Sequence, residues 1–163
     1  QFGLTPYGTE AMHVLRAERG FIIVGQETDG TVSPIDLGMD WIISKKKKDF
    51  IGKRSLERAS MKQNDRKELV GLLSDDPNTV IPEGAHAIDE KDLELEEKNI
   101  LGHVTSSYFS SNCKRSIAMA LIKNGRARKG NKLVIPLLNG DKIKAKIVNP
   151  VFFDPNGVRK NGI

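Results

Sequence analysis

The spacing of apolar positions changes near residues 61–66. Upstream the pattern is helical and broken by turns, so it predicts helix, strand, turn, strand, helix. Thr5 or Thr9 is positioned to cap a helix carrying Ala11, Val14 and Leu15, and Gly20 is placed to end it. Phe21-Ile22-Ile23-Val24 is a short continuous apolar run, the pattern of a strand buried on both faces. Asp29-Gly30 signals a turn, Ser33-Pro34 with Asp36 a helix start, Trp41-Ile42-Ile43 a second short strand, and residues 52–60 a helix with Leu56 as its apolar contact.

Downstream the period becomes that of strands. Predicted strands cover Glu68-Leu69-Val70-Gly71-Leu72-Leu73, Leu93-Glu94-Leu95-Glu96, and Ile100-Leu101-Gly102-His103-Val104, the last two as a hairpin. Three more follow at residues 116–122, 132–137 and 142–147, the last with lysines on one face and apolar residues on the other. Turn chemistry separates them at Asp75-Asp76-Pro77-Asn78, Asn139-Gly140 and Asp154-Pro155-Asn156-Gly157. Short strands at this spacing predict a small antiparallel barrel or sandwich, in which closure removes exposed edges. The upstream part has too few strands for a sheet of its own, so it reads as the tail of a larger α+β domain.

A length of 163 residues allows one domain or two small ones and excludes a large multidomain enzyme. With 38% hydrophobic and 29% charged residues and no apolar run of membrane-spanning length, the chain is expected to be soluble and without a membrane role. The single cysteine, Cys113, has no internal disulfide partner and no Cys/His neighbours at zinc-site spacing, which fits a reducing cytoplasm. The start, Gln1-Phe2-Gly3-Leu4, reads as the beginning of an excised piece.

The formal charge of +5 is concentrated in Lys45, Lys46, Lys47 and Lys48, followed by Lys53 and Arg54. These could neutralise an anionic ligand, but a solvated cluster is the simpler reading. Only 6% of residues are aromatic and none interleave with the basic run, so the stacking platform of a single-strand nucleic-acid binder is missing. The sequence also lacks a nucleophile elbow, a phosphate loop and a dinucleotide fingerprint, and His13, His86 and His103 are not at metal-ligand spacing.

One residue conflicts with its surroundings. At 100 degrees per residue, Ala11, Val14, Leu15 and Glu18 fall on one stripe, while His13 and Arg16 point elsewhere. Glu18 therefore sits in an apolar face near the helix C-terminus, where both burial and the helix dipole disfavour a negative charge. Either it is retained to grip a ligand, or the helix frays at Ala17 and Glu18 pairs on the surface with Arg16 or Arg19. A buried carboxylate can accept paired N–H bonds from an amidine-like edge, such as that of a pterin or guanine.

Three stretches carry a family likeness. They are residues 7–20 (ending Leu15-Arg16-Ala17-Glu18-Arg19-Gly20), Gly25-Gln26-Glu27-Thr28-Asp29-Gly30-Thr31, and residues 45–56. They resemble the folate-binding part of the alpha subunits of heterotetrameric sarcosine oxidases and, more broadly, the glycine-cleavage aminomethyltransferase superfamily. Gly102-His103-Val104-Thr105-Ser106, Ile117-Ala118-Met119-Ala120 and Val151-Phe152-Phe153-Asp154-Pro155 resemble the C-terminal barrel of the same superfamily. The resemblance implies an α+β fold: residues 1–63 as the C-terminal portion of an aminomethyltransferase-like folate-binding domain, and 64–163 as a small antiparallel β-barrel.

It further implies that Glu18 holds the pterin ring of tetrahydrofolate and that Lys47 stands where the aminomethyltransferases have a functional arginine, with a point charge replacing a planar fork. The family's aspartate near the reacting folate nitrogen would lie before Gln1. By the same resemblance, the parent enzyme oxidatively demethylates sarcosine to glycine, and tetrahydrofolate captures the one-carbon unit as 5,10-methylenetetrahydrofolate. FAD, FMN and NAD would be held elsewhere in the complex, the partners would be the missing part of the subunit and the other subunits, and this chain alone would be inactive. A fragment of an aminomethyltransferase, or a noncatalytic barrel that binds a partner or RNA, are the alternatives.

Overall fold

The chain is described from a computed structural model covering residues 3–93, 95 and 99–159. Six strands dominate: β1 (Lys67–Ser74), β2 (His86–Asp89), β3 (Ile100–Ser110), β4 (Arg115–Lys123), β5 (Lys132–Pro136) and β6 (Lys142–Val148). They close into an antiparallel barrel in the order β1-β4-β3-β2-β5-β6, with β6 returning to β1. Among the described residues closure gives every strand a partner on each side, which removes the free outer strands of an open sheet.

Alternation sorts the side chains. Val70 and Leu72 of β1 point into the barrel, where they meet Ile122, Leu133, Ile135 and Ile147. The register sets Val70 opposite Ala120 and Leu72 opposite Ala118, so large residues face small ones across a narrow interior. Leu69 of β1 and Ile117, Met119 and Leu121 of β4 point outwards, yet all four are buried. Their cover comes from the upstream part of the chain, through Ala17, Ile22, Val32 and Leu37, and from Phe152. A wall buried on both faces explains why β4 reads as one continuous apolar run.

The strands expected in the downstream part are present as β1, β3, β4, β5 and β6. β3 pairs with β2, which the sequence reading missed in favour of a hairpin with residues 93–96. Leu93 caps a short 3-10 turn, Glu90–Asp92, and Glu94 and Glu96 lie outside the described residues. β2 is only four residues long, and its pattern, exposed His86 before buried Ala87 and Ile88, is too short to signal a strand by itself. β3 also continues six residues beyond Val104, through a run of serine and threonine whose burial depends on tertiary hydrogen bonds.

Upstream, one helix matches its prediction: α1 (Thr9–Glu18). Gly8, not Thr5 or Thr9, is its N-cap, without a side-chain cap bond. At the other end Gly20 has φ +70, its N–H bonds to Ala17 O, and the N–H of Phe21 bonds to Arg16 O. This left-handed closure suits glycine, and an added Cβ there would lie 2.8 Å from Pro150 O.

The two predicted upstream strands do not form. Residues 21–24 lead into a turn closed by a bridge from Val24 to Thr28, and Trp41 lies in a 3-10 turn, Asp40–Ile42. An apolar run becomes a strand only where another backbone edge can pair along it, and here the pairing stops at the isolated Val24–Thr28 bridge. Phe21 is 63% and Trp41 76% exposed. The helix expected at residues 33–36 is a single turn, in which Asp36 accepts bonds from the N–H and Oγ of Ser33 at 2.7 and 2.8 Å. That expected at residues 52–60 shortens to α2 (Lys53–Leu56) and a 3-10 turn, Ala59–Met61. No helix among the described residues is long and apolar enough to cross a membrane.

Asp36 also ties the upstream part to the barrel. Arg66, just before β1, donates from Nε to its carboxylate at 2.8 Å and also pairs with it through Nη2, while Leu69 N donates to the Asp36 backbone carbonyl at 2.9 Å. Burial pushes the Asp36 pKa up, but the bonds from Arg66 and Ser33 and the guanidinium charge outweigh it and leave it below the ordinary value of 3.8. A depressed carboxylate stabilises the fold above its unfolded pKa, and that contribution is lost as pH falls through the folded one. Stability is therefore expected to drop below about pH 4. Asp36→Asn should lower stability at neutral pH and flatten that acid limb. Urea unfolding across pH checks this, and identical acid slopes in the two proteins would reject it.

Candidate functional site

The last turn of α1 packs on β3 and β4, and charge is buried there. Arg16, Ala17 and Glu18 are buried, whereas Ala11 and Leu15 are exposed and Val14 is half-buried. The wheel's apolar stripe is therefore not the packed face. Only the C-terminal turn of the helix meets the barrel, and at a helix end three successive residues can all enter an interface. Arg16, expected to point elsewhere, turns inwards.

Arg16 and Glu27 form an ion pair at 2.9 Å, with side chains 8% and 0% exposed. Gly25 and its neighbours make the turn that brings Glu27 back beneath α1, and Glu27 Oε2 accepts the N–H of Ile23 at 2.8 Å. Ser106 of β3 completes the set: its Oγ accepts from Arg16 Nη2 at 2.6 Å and donates to Glu27 Oε1. Gln26 Oε1 accepts a further bond from Arg16 at 2.8 Å, and the guanidinium carbon lies 5.9 Å from the centre of the Tyr108 ring. Two buried charges are tolerable here because nearly every donor and acceptor is met. Neither Glu27 nor Ser106 stands out in sequence, since the one follows a turn and the other lies in a serine run. The only local hint is an acid and a base eleven residues apart, both flanking apolar segments.

Glu18 lies on the adjoining side of the same helix end and is 2% exposed. Its Oε1 accepts from Ser110 Oγ at 2.6 Å and its Oε2 from Asn112 Nδ2 at 2.8 Å. Its backbone carbonyl accepts the N–H groups of Phe152 and Phe153, both at 2.9 Å. The helix does not fray, and the surface alternative fails on its partners: Arg16 pairs with Glu27, and Arg19 with Asp154 at 3.1 Å. Ser110 is fully buried and also accepts the N–H of Cys113, whereas Asn112 is exposed on the β3–β4 turn.

Lys47 is elsewhere. It is exposed on the basic loop and lines a cavity of about 490 Å³ with Ile43, Phe50 and Leu56. Among the described residues Lys45, Lys46, Lys47 and Lys48 make no ion pair, as a solvated cluster should. A cavity of about 740 Å³ lies between Phe21, Trp41, Leu69 and Val151, with Arg19 and Arg126 in its wall. Neither Glu18 nor Lys47 lines it. Volume alone does not make the cleft the site, because no carboxylate side chain lines it. No group of three or more potential metal ligands clusters among the described residues. His103 faces His86 across β2 and β3, and burial, then the charges of Lys67 and His86, hold its pKa below the ordinary 6.5.

A closed six-stranded antiparallel barrel, covered on its β4 wall by a helix that ends in a buried Arg-x-Glu, defines a barrel module with a buried carboxylate at one seam. Residues 67–154 match the family model described as the glycine cleavage T-protein C-terminal barrel domain, and residues 1–47 match the GCVT N-terminal domain. The chain belongs to this glycine cleavage T-protein family. It is 50% identical over 163 residues to sarcosine oxidase subunit alpha of Corynebacterium sp. (strain P-1), covering 99% of this chain and 17% of that protein. The subunit alpha of Rhizobium meliloti is 39% identical over 158 residues, covering 96% and 16%. An aminomethyltransferase of Bacteroides thetaiotaomicron is 35% identical over 153 residues, covering 93% and 40%. The crystal structure of glycine cleavage system aminomethyltransferase T from Bartonella henselae superposes with a TM-score of 0.75 at 25% identity, over 89% of this chain and 38% of that one. The chain thus spans about a sixth of the length of its sarcosine oxidase relatives.

Proposed function

We propose that this chain is the folate-binding portion of a sarcosine oxidase alpha-type subunit. In the parent enzyme sarcosine is oxidatively demethylated to glycine, and tetrahydrofolate accepts the one-carbon unit as 5,10-methylenetetrahydrofolate. The observation that carries this reading is the 50% identity along the whole chain, which includes the helix end that buries Glu18. FAD, FMN and NAD belong to other parts of the parent. Its partners are the rest of the subunit and the other subunits, and its place is the cytoplasm.

The residues present suit the pterin in their chemistry. A carboxylate offers about four lone-pair directions, and Glu18 uses two of them here. Acceptor capacity remains for an amidine-like N–H edge, and the buried setting strengthens a charge-assisted bond. Lys47 supplies an exposed cation for a carboxylate of the same ligand. The part played by this chain is to bind and orient, which is most of what such a step asks of the protein.

In the full-length subunit, Glu18→Gln is expected to weaken tetrahydrofolate binding by about 1 to 3 kcal/mol, through loss of a charge-assisted bond. Isothermal titration measures it, and an unchanged affinity would reject the assignment. A second reading, part of an aminomethyltransferase acting on a lipoyl-bound aminomethyl group, is favoured by the 35% identity to the Bacteroides protein and the superposition on the Bartonella one. Release of methylenetetrahydrofolate from an aminomethyl-lipoyl carrier, with no turnover of sarcosine, would select it.

A further inference from the structure

Glu18 is held by two unlike donors. Ser110 Oγ is fully buried and pinned in turn by the Cys113 N–H, so it cannot leave without opening the β3–β4 turn. Asn112 is exposed, and its Nδ2 donates to Oε2 at 2.8 Å. An exposed asparagine rotating about its own side-chain bonds moves on the nanosecond scale and needs no backbone change. The group it presents, a planar N–H₂ at 2.8 Å from a carboxylate oxygen, has the chemistry of an exocyclic amine on a cyclic amidine. Lys114, two residues on, has a left-handed φ of 53, so the turn that aims Asn112 is held by its surroundings and not by local preference.

We infer that Asn112 is a displaceable stand-in for the ligand: its amide satisfies Glu18 when the site is empty and swings out so that the amino edge of a flat heterocycle takes its place. This rests on the folate reading of Glu18 and deepens it, because it names the group the ligand must replace. The swap exchanges one N–H···O bond for another at Oε2, while the Ser110 bond at Oε1 persists and keeps the carboxylate oriented. A ligand without an N–H donor on its edge would open the gate without replacing the lost bond, so the gate also selects for amino-substituted rings.

The test is isothermal titration of tetrahydrofolate against the full-length subunit and its variants. Asn112→Ala removes the competing donor and leaves the Ser110 bond, so affinity is expected to rise about three- to tenfold. Asn112→Ser, too short to reach Oε2 yet compatible with a turn, should move affinity the same way and guards against a folding defect in the first variant. Glu18→Gln is titrated alongside. If it weakens binding while both Asn112 variants tighten it, the inference stands. If it weakens binding while the Asn112 variants leave affinity unchanged or lower, the gate is wrong and the folate reading survives. If Glu18→Gln changes nothing, the folate reading falls and the gate with it.

Discussion

Glu27→Ala is expected to destabilise the chain by about 3 to 5 kcal/mol, because it leaves the Arg16 guanidinium buried without its counter-charge. The loss spreads beyond one pair. Ser106 loses the acceptor for its hydroxyl, Ile23 loses the acceptor for its N–H, and the turn at residues 25–27 loses its anchor under α1. Urea denaturation gives the number, and a change below about 1 kcal/mol would mean that water reaches the guanidinium. The double variant Arg16→Met/Glu27→Leu discriminates further. Replacing both charges with apolar groups of similar size should cost less than Glu27→Ala alone, since no charge is left stranded. A double variant as unstable as the sum of the two single ones would show that the pair acts independently and would overturn the network.

Gly102→Ala is the second large effect. Gly102 sits on β3 opposite Ile122, where the two backbones close in on each other, and an added Cβ would lie 1.8 Å from Leu121 O. No rotamer relieves that contact, because the obstacle is main chain. β3 must move away from β4, and the barrel resists because each strand is paired on both sides. A loss of about 3 kcal/mol or more is expected, at the upper end of overpacking effects. It should be measured as a fall in melting temperature, with amide exchange accelerated at Leu121 and Ile122. Gly30→Ala, where a Cβ meets nothing within 4 Å, is the matching control. Equal stability of the two variants would show that the β3–β4 approach is looser than drawn.

These predictions concern residues that differ in how far they can be found without coordinates. Gly102 was legible only as part of a family motif, and Glu27 lay within a quoted stretch without any assigned role. Glu18 was singled out correctly as a buried acid, but for a reason that does not hold: the stripe of Ala11, Val14 and Leu15 is largely in solvent. Hydrophobic periodicity assumes that a helix packs along its length, and α1 packs only by its end. The same assumption turned Arg16 outwards. The strands expected at residues 21–24 and 41–43 failed for a related reason, since apolar content predicts burial more directly than it predicts hydrogen-bonded pairing.

Alternation and turn residues alone were enough to place β1, β4, β5 and β6, to expect barrel-like closure, and to end α1 at Gly20, because side-chain direction in a strand and left-handed φ at a glycine are local properties. The partner of β3, the extension of that strand through buried serines, and the meeting of Arg16 with Glu27 and of Glu18 with Ser110 and Asn112 were decided by the closed barrel. A polar side chain can be buried only where distant segments supply its hydrogen bonds, and those segments come together only after the chain has folded.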